Sequence, residues 1–115
     1  MLPLKLIYDD GYDLHLGAHV FPSQKYRLVR EGLLQEHLAD ESDFISPTPA
    51  RDEDVLRVHS PEYVHKLKTG ALNYLEILRM EVAYSKELIQ ACWLGAGGSI
   101  EAGKRALADG CAVNI

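Results

Sequence analysis

The apolar positions change period several times along the chain, and each change marks an element. Leu4 to Tyr8 alternates around Lys5 and stops at the turn signal Asp9-Asp10-Gly11, which predicts a first strand opened by Pro3. Gly11 to Pro22 has no helical period and carries two glycines, two histidines and a proline, so it predicts a long ordered loop of the kind that often serves function. From Ser23 onward, Tyr26, Leu28-Val29, Leu33-Leu34 and Leu38 recur at helical spacing, with Ser23 as N-cap and a break at Asp40 to Ser42. Phe44-Ile45 precedes Ser46-Pro47-Thr48-Pro49; two prolines exclude a helix and remove backbone donors, so an extended edge segment is expected.

The second half is mostly helical in pattern. Arg51 to Arg57 begins with three acids that favour a short helix's dipole. Ser60-Pro61-Glu62 supplies an N-cap, a first-turn proline and an early acid, and Tyr63, Val64 and Leu67 form an apolar face ending at Gly70. Asn73 to Met80 suits a helical turn or two. Ser85 caps a long helix, Lys86 to Ala108, whose Leu88, Ile89, Cys92, Trp93, Ala96, Ile100 and Leu107 share one broad face. Gly95, Gly97, Gly98 and Gly103 weaken that helix, which predicts close approach of its backbone to another element. Asp109-Gly110 ends it, and Cys111 to Ile115 is a short apolar strand. A helix delivering the chain into a strand is half of a βαβ crossover, so the class is α/β, with chemistry expected beyond the carboxyl ends of the strands.

Composition narrows this only a little. At 115 residues, 47% hydrophobic and 25% charged, one domain spanning 1–115 is expected, able to bury roughly two-thirds of its unfolded surface. Twelve Lys and Arg against seventeen Asp and Glu give a net charge of −5, with the basic residues scattered, so no nucleic-acid or anionic-membrane footprint exists. The start lacks the apolar core and cleavage site of a secretory signal, and no run reaches the length of a membrane span, which predicts a cytoplasmic protein. Cys92 and Cys111 have no Cys-x-x-Cys partner and are expected as small core residues.

The candidate chemistry is thin. His15 and His19 stand four apart, but in a loop, without a third ligand or a His-Glu-x-x-His run, so hydrogen bonding or plain exposure is the simpler reading. His59 is expected to fix a turn, and His37 and His65 to be solvated helix positions. Asp9-Asp10, Asp40-Glu41 and Asp52-Glu53-Asp54 read as turn formers and helix N-terminal charges, because adjacent carboxylates point in different directions. Gly95-Ala-Gly-Gly-Ser99 lacks the Gly-Lys-Ser/Thr ending of a phosphate loop, and Ser99 has no evident base. Composition, spacing and periodicity identify no active site.

The words of the sequence carry more. Gly17-Ala-His-Val-Phe-Pro-Ser-Gln-Lys-Tyr26, Val58-His-Ser-Pro-Glu-Tyr-Val64, Gly97-Gly-Ser-Ile-Glu-Ala-Gly103 and Ala112-Val-Asn-Ile115 resemble, in order and approximate spacing, the N-terminal third of the histone deacetylase superfamily. The flavour is that of bacterial deacetylase-like proteins and the smallest eukaryotic class, and the resemblance covers nearly the whole chain. It implies part of the arginase-like three-layer α/β fold, a small, mostly parallel sheet flanked by helices, and a family chemistry in which zinc activates water to attack an acetyl amide. It also implies that the loop after the first strand lines the substrate tunnel, which makes His19 and Phe21 the candidate pocket-lining residues. The family's Gly-Gly-x-His-His segment and its Asp-containing metal motifs do not occur, and Val20 stands where many relatives carry arginine. The expectation is therefore a chain with no catalytic or metal-binding residue of its own, inactive alone. It would form either a homo-oligomer or a complex with a complementing chain that covers the exposed sheet edge.

Overall fold

The alternation around Lys5 builds β1 (Lys5–Ile7), the middle strand of a three-stranded parallel sheet in the computed structural model, which describes residues 1–115. β2 (Phe44–Ile45) pairs on one side, with Leu6 opposite Phe44, and β3 (Ala112–Asn114) on the other, with Leu6 opposite Val113. Pairing runs one residue further on each side: Tyr8 N–H donates to the Ile45 carbonyl at 3.0 Å and Ile115 N–H to the Ile7 carbonyl at 3.1 Å. Parallel strands require crossovers. α1 (Lys25–Gln35) lies in the first, and α2 (Asp52–Val55), α3 (Pro61–Thr69), α4 (Tyr74–Met80) and α5 (Lys86–Asp109) in the second. The class is α/β with a small parallel sheet, as the periodicity and the resemblance both imply. No helix is long and apolar enough to cross a membrane.

Most helix ends follow their local signals. Ser60 Oγ accepts from Tyr63 N–H at 3.2 Å, and Gly70 closes α3 in the left-handed region at φ 76°. Ser85 Oγ accepts from Leu88 N–H at 2.9 Å to start α5. Asn73 and Glu76 cap α4 reciprocally, at 2.9 and 2.8 Å, and the expected turn or two runs from Tyr74 to Met80. Ser23 departs from expectation. Gln24 occupies the α1 cap position without a side-chain bond, while Ser23, buried, donates to Asp13 Oδ1 at 2.7 Å and accepts from Leu14 N–H at 3.1 Å. A buried hydroxyl needs partners, and the Asp13 carboxylate and the Leu14 backbone N–H supply them.

α5 is pressed against both halves of the chain. A β-carbon at Gly97 would overlap the Thr48 carbonyl oxygen and sit 2.8 Å from Ala50 N, whose N–H donates to the Trp93 carbonyl at 2.9 Å. One at Gly98 would overlap the Tyr12 hydroxyl and sit 2.6 Å from Asn114 Oδ1. Gly95 and Gly103 have nothing within 4 Å, so two of the four helix glycines answer to close approach. Away from the sheet, Leu67, Leu72 and Ile89 form a small core with Tyr63, Ile77, Met80, Tyr84 and Trp93 packed around it.

The rest of the apolar surface is poorly covered. Leu88, Ile89 and Ala91 are buried, but Leu107 is 91% exposed, Ile100 is exposed, and so are Cys92 and Cys111, against expectation. Burial of these positions requires a further layer over the later turns of α5, and no element of this chain lies there. α1 likewise buries no residue fully, and His37 sits just past its end in the left-handed region at φ 54° rather than on a helical face. The accessible surface is 7547 Å², where a compact chain of this mass exposes about 6,300 Å². The radius of gyration is 15.8 Å, against about 13 Å for a compact domain of this length. The chain thus buries about three-fifths of its unfolded surface rather than two-thirds.

One buried charge holds the N-terminus. The fully buried Asp43 carboxylate accepts from Asp40 N–H at 2.8 Å and Leu2 N–H at 2.9 Å, and the terminal ammonium of Met1 pairs with Asp40 at 2.7 Å. The Asp40 bond above all, with Leu2 adding, holds the Asp43 carboxyl below its ordinary range.

Two outcomes follow in urea unfolding. Gly97→Ala is expected to lose about 1–3 kcal/mol by overpacking, while Gly103→Ala, in open space, gains about 0.5–1 kcal/mol of helix propensity; equal effects at the two sites would contradict the packing described. For Asp43 the folded pKa lies below the unfolded one, so its stabilisation is complete above the ordinary carboxylate value of about 3.9 and is lost as pH falls through the lower folded value. Asp43→Asn should flatten the acid limb of the stability curve, and an unchanged limb would contradict it.

Candidate functional site

The carboxyl ends of β1 and β3 lie side by side, the position at which open α/β sheets bind ligands. β1 runs into a 3-10 turn over Asp10–Tyr12, which Asp9 caps by accepting from Gly11 N–H at 2.8 Å. The turn drives Tyr12 inward. Its hydroxyl donates to Asn114 Oδ1 at 2.6 Å, and Asn114 Nδ2 donates to the Gly95 carbonyl at 3.1 Å and to Ser99 Oγ at 3.2 Å. One strand-end amide therefore joins β3, α5 and the turn after β1. Burial, with the negative charge of Asp9 adding, pushes the Tyr12 hydroxyl up to about 12, so it stays a neutral donor. Tyr26 meets the Tyr12 ring edge-on at 5.9 Å and fixes its tilt. A depression of about 360 Å³ opens beside this network, walled by Tyr12, Leu14, Tyr26, Cys92, Gly95 and Asn114.

These groups can orient and exclude water; they do not form a nucleophile and base. Ser99 receives a hydrogen bond from an amide and has no base beside it, in keeping with its sequence reading. Sequence reasoning passed over Tyr12 and Asn114. The available signal was a side-chain amide in the apolar run Ala112-Val-Asn-Ile115, because a polar group on a packed strand has to be hydrogen-bonded.

On the other side of Leu14 lies a second depression of about 540 Å³, between the loop residues Leu14, His15, Leu16 and His19 and the connector from α4 into α5. His19 stands in its wall. Phe21 N–H donates to His19 Nδ1 at 3.0 Å, so Nδ1 carries no proton; Nε2 carries it and donates to the Glu81 carbonyl at 2.8 Å. The backbone amide of Phe21 thus meets His19, but its ring turns away to α1, where the Lys25 ammonium stands 4.2 Å from the ring centre and Tyr26 at 6.4 Å. Of the two residues singled out in sequence, His19 faces the depression and Phe21 does not. His15 lines it as well, in the left-handed region at φ 51°.

No three His, Cys, Asp or Glu side chains are placed to hold a metal ion. These residues offer no donor set that fits the zinc implied by the resemblance, and both ring nitrogens of His19 are engaged with backbone groups. The acidic run behaves as helix-start charge. Asp54 pairs with Arg51 at 3.1 Å, and Asp52 takes Trp93 Nε1–H at 3.0 Å and the Lys68 ammonium, the last contact doing most to hold its carboxyl below the ordinary range. His59 packs beside Tyr63, ring centres 5.5 Å apart.

The family model of the histone deacetylase domain matches residues 19–115. Over an alignment 130 positions long the chain is 27% identical to "Histone deacetylase 2" of Arabidopsis thaliana, covering 97% of this chain and 32% of that protein. It is 29% identical over 111 residues to a "Probable deacetylase" of Methanothermobacter thermautotrophicus, covering 96% and 33% respectively. The chain thus spans about a third of the length of these curated relatives. The match runs from the loop holding His19, through every helix, to the strand holding Asn114, and the chain belongs to the histone deacetylase family.

Proposed function

We propose that this chain is the N-terminal part of a deacetylase-like amide hydrolase acting on acetyl-lysine or related acetylated amines. It supplies framework and a wall of the substrate pocket, while the reacting groups come from other sequence. The relatives' names and the family match support the class of reaction. The observation that carries the division of labour is the occupation of His19: with Nδ1 accepting from Phe21 and Nε2 donating to Glu81, the histidine fixes a loop and has no free nitrogen for a metal or a proton relay. Zinc would activate water for attack on the amide, and on this reading its ligands come from other sequence. What this chain does is bind and shape. His19 and Leu14 present the loop to the substrate side, Phe21 stiffens its descending arm against α1, and Tyr12 with Asn114 holds the strand ends in register. The same reading takes the protein to be cytoplasmic, with which two unpaired cysteines are compatible.

A second reading has its own support. β3 is an outer strand with Val113 partly exposed, Leu107 is bare, and the surface exceeds that of a compact chain by about 1,300 Å². A non-catalytic module that pairs with itself, or with a complementing chain, would cover this area.

Purified chain incubated with zinc and an acetyl-lysine peptide is expected to give no turnover, and chelator-sensitive turnover is expected once it is joined to the region of a family relative that follows the matched third. Chelator-sensitive turnover by the chain alone would overturn the division of labour. Silence in both arrangements, together with a stable dimer in sedimentation, would favour the second reading.

A further inference from the structure

We propose that residues His15–Pro22 form a lid over the 540 Å³ depression, closed by the neutral ring of His19 and released when that ring takes up a second proton. The loop is built as a pinned neck and a loosely held tip. At the neck, Ser23 Oγ donates to Asp13 Oδ1 at 2.7 Å and accepts from Leu14 N–H at 3.1 Å, and Asp13 Oδ1 also accepts from His15 N–H at 2.9 Å. Ser23 is buried, so this end is fixed. Beyond it the tip has little packing: Gly17 and Ala18 are exposed, and Val20 is 96% exposed. A single hydrogen bond, His19 Nε2–H to the Glu81 carbonyl, joins the loop to the connector across the depression. Both sides of the opening hold left-handed backbone, His15 at φ 51° and Gly17 at φ 62° on the loop and Glu81 at φ 59° on the connector. Left-handed non-glycine residues are strained, so the closed form persists only while its contacts hold.

The protonation state is fixed by the partners. Nδ1 accepts from Phe21 N–H, so only the neutral ring fits, with its proton on Nε2. A second proton on Nδ1 would face the Phe21 N–H, donor against donor, and the ring would have to leave its seat. The titratable groups around it are His15 on the loop, Glu81 and Tyr84 on the connector, which line the same depression, Asp13 at the neck, and Lys25 on α1, whose ammonium lies over the Phe21 ring. The latch is a property of the loop and holds whichever reading of the domain's chemistry is right.

Amide hydrogen exchange and nitrogen NMR on the whole chain test it with three substitutions. The wild type should show the Nε2–H tautomer, with slow exchange at Phe21. His19→Asn keeps an acceptor where Nδ1 was, so Phe21 should stay protected while the tip, Leu16–Val20, loosens. His19→Gln reaches Glu81 but not Phe21, so the tip should stay closed while Phe21 exchanges about five- to tenfold faster, the change expected from one lost hydrogen bond. The Leu14 amide at the neck should not change in either. From about pH 8 to about pH 5, the span in which imidazoles change charge, the wild-type tip should open, His15→Gln should open alike, and His19→Gln should not respond. An Nδ1–H tautomer, a tip as mobile in the wild type as in His19→Asn, or a pH response that survives in His19→Gln would overturn the lid.

Discussion

The contact on which the structure depends is the bare backbone of α5 at Gly97 and Gly98, where three segments far apart in the sequence touch the same helical turn. On one side the Thr48–Ala50 backbone lies against Gly97, and on the other the Tyr12 hydroxyl and the Asn114 amide fill the space a β-carbon at Gly98 would take. A side chain at Gly97 would push the helix off the Thr48–Ala50 segment, and one at Gly98 off the turn after β1 and the end of β3. With the helix seated, β3 follows from Gly110 in register beside β1, and the small parallel sheet closes. The two glycines cost helix propensity that a solvent-facing helix would not recover, and contact with the sheet and turn offsets it.

The same seat shapes the region beyond the strand ends. Because Gly98 admits the Tyr12 hydroxyl, the turn after β1 folds inward, and the loop that follows leaves from a fixed point. Leu14 then stands between two depressions, one beside the Tyr12–Asn114 network and one under His19. The polar groups of the Tyr12–Asn114 network are matched to backbone and to one another, while the His15 ring, the Glu81 carboxylate and the Cys92 thiol line the depressions without a hydrogen-bond partner. Such an arrangement suits the proposed role of framework and pocket wall. The chain itself spans about a third of its relatives' length.

Much of this was legible in the residues, and the misses share a cause. Ser60, Gly70 and Ser85 announced their helix ends because capping is settled within a few residues. The glycines of α5 announced a close approach, but not which two of the four would make it, since that depends on Thr48 and Asn114, far off in sequence. Ser23 carried a cap signal and was drawn instead to Asp13 by burial. Cys92, Ile100 and Leu107 fit a core-facing pattern, yet a pattern shows which face is apolar and not whether another layer covers it. His19 was reached only through resemblance, and its tautomer follows from partners that only the fold brings together.

The most direct measurement of the α5 seat is hydrogen exchange at the two side-chain amide protons of Asn114, which donate to the Gly95 carbonyl and to Ser99 Oγ beside Gly98. In the folded chain both should be strongly protected, and Gly98→Ala should abolish the protection while α3 and α4 keep theirs. Exchange at the rate of a free asparagine amide in the wild type would contradict the seat and the site built on it.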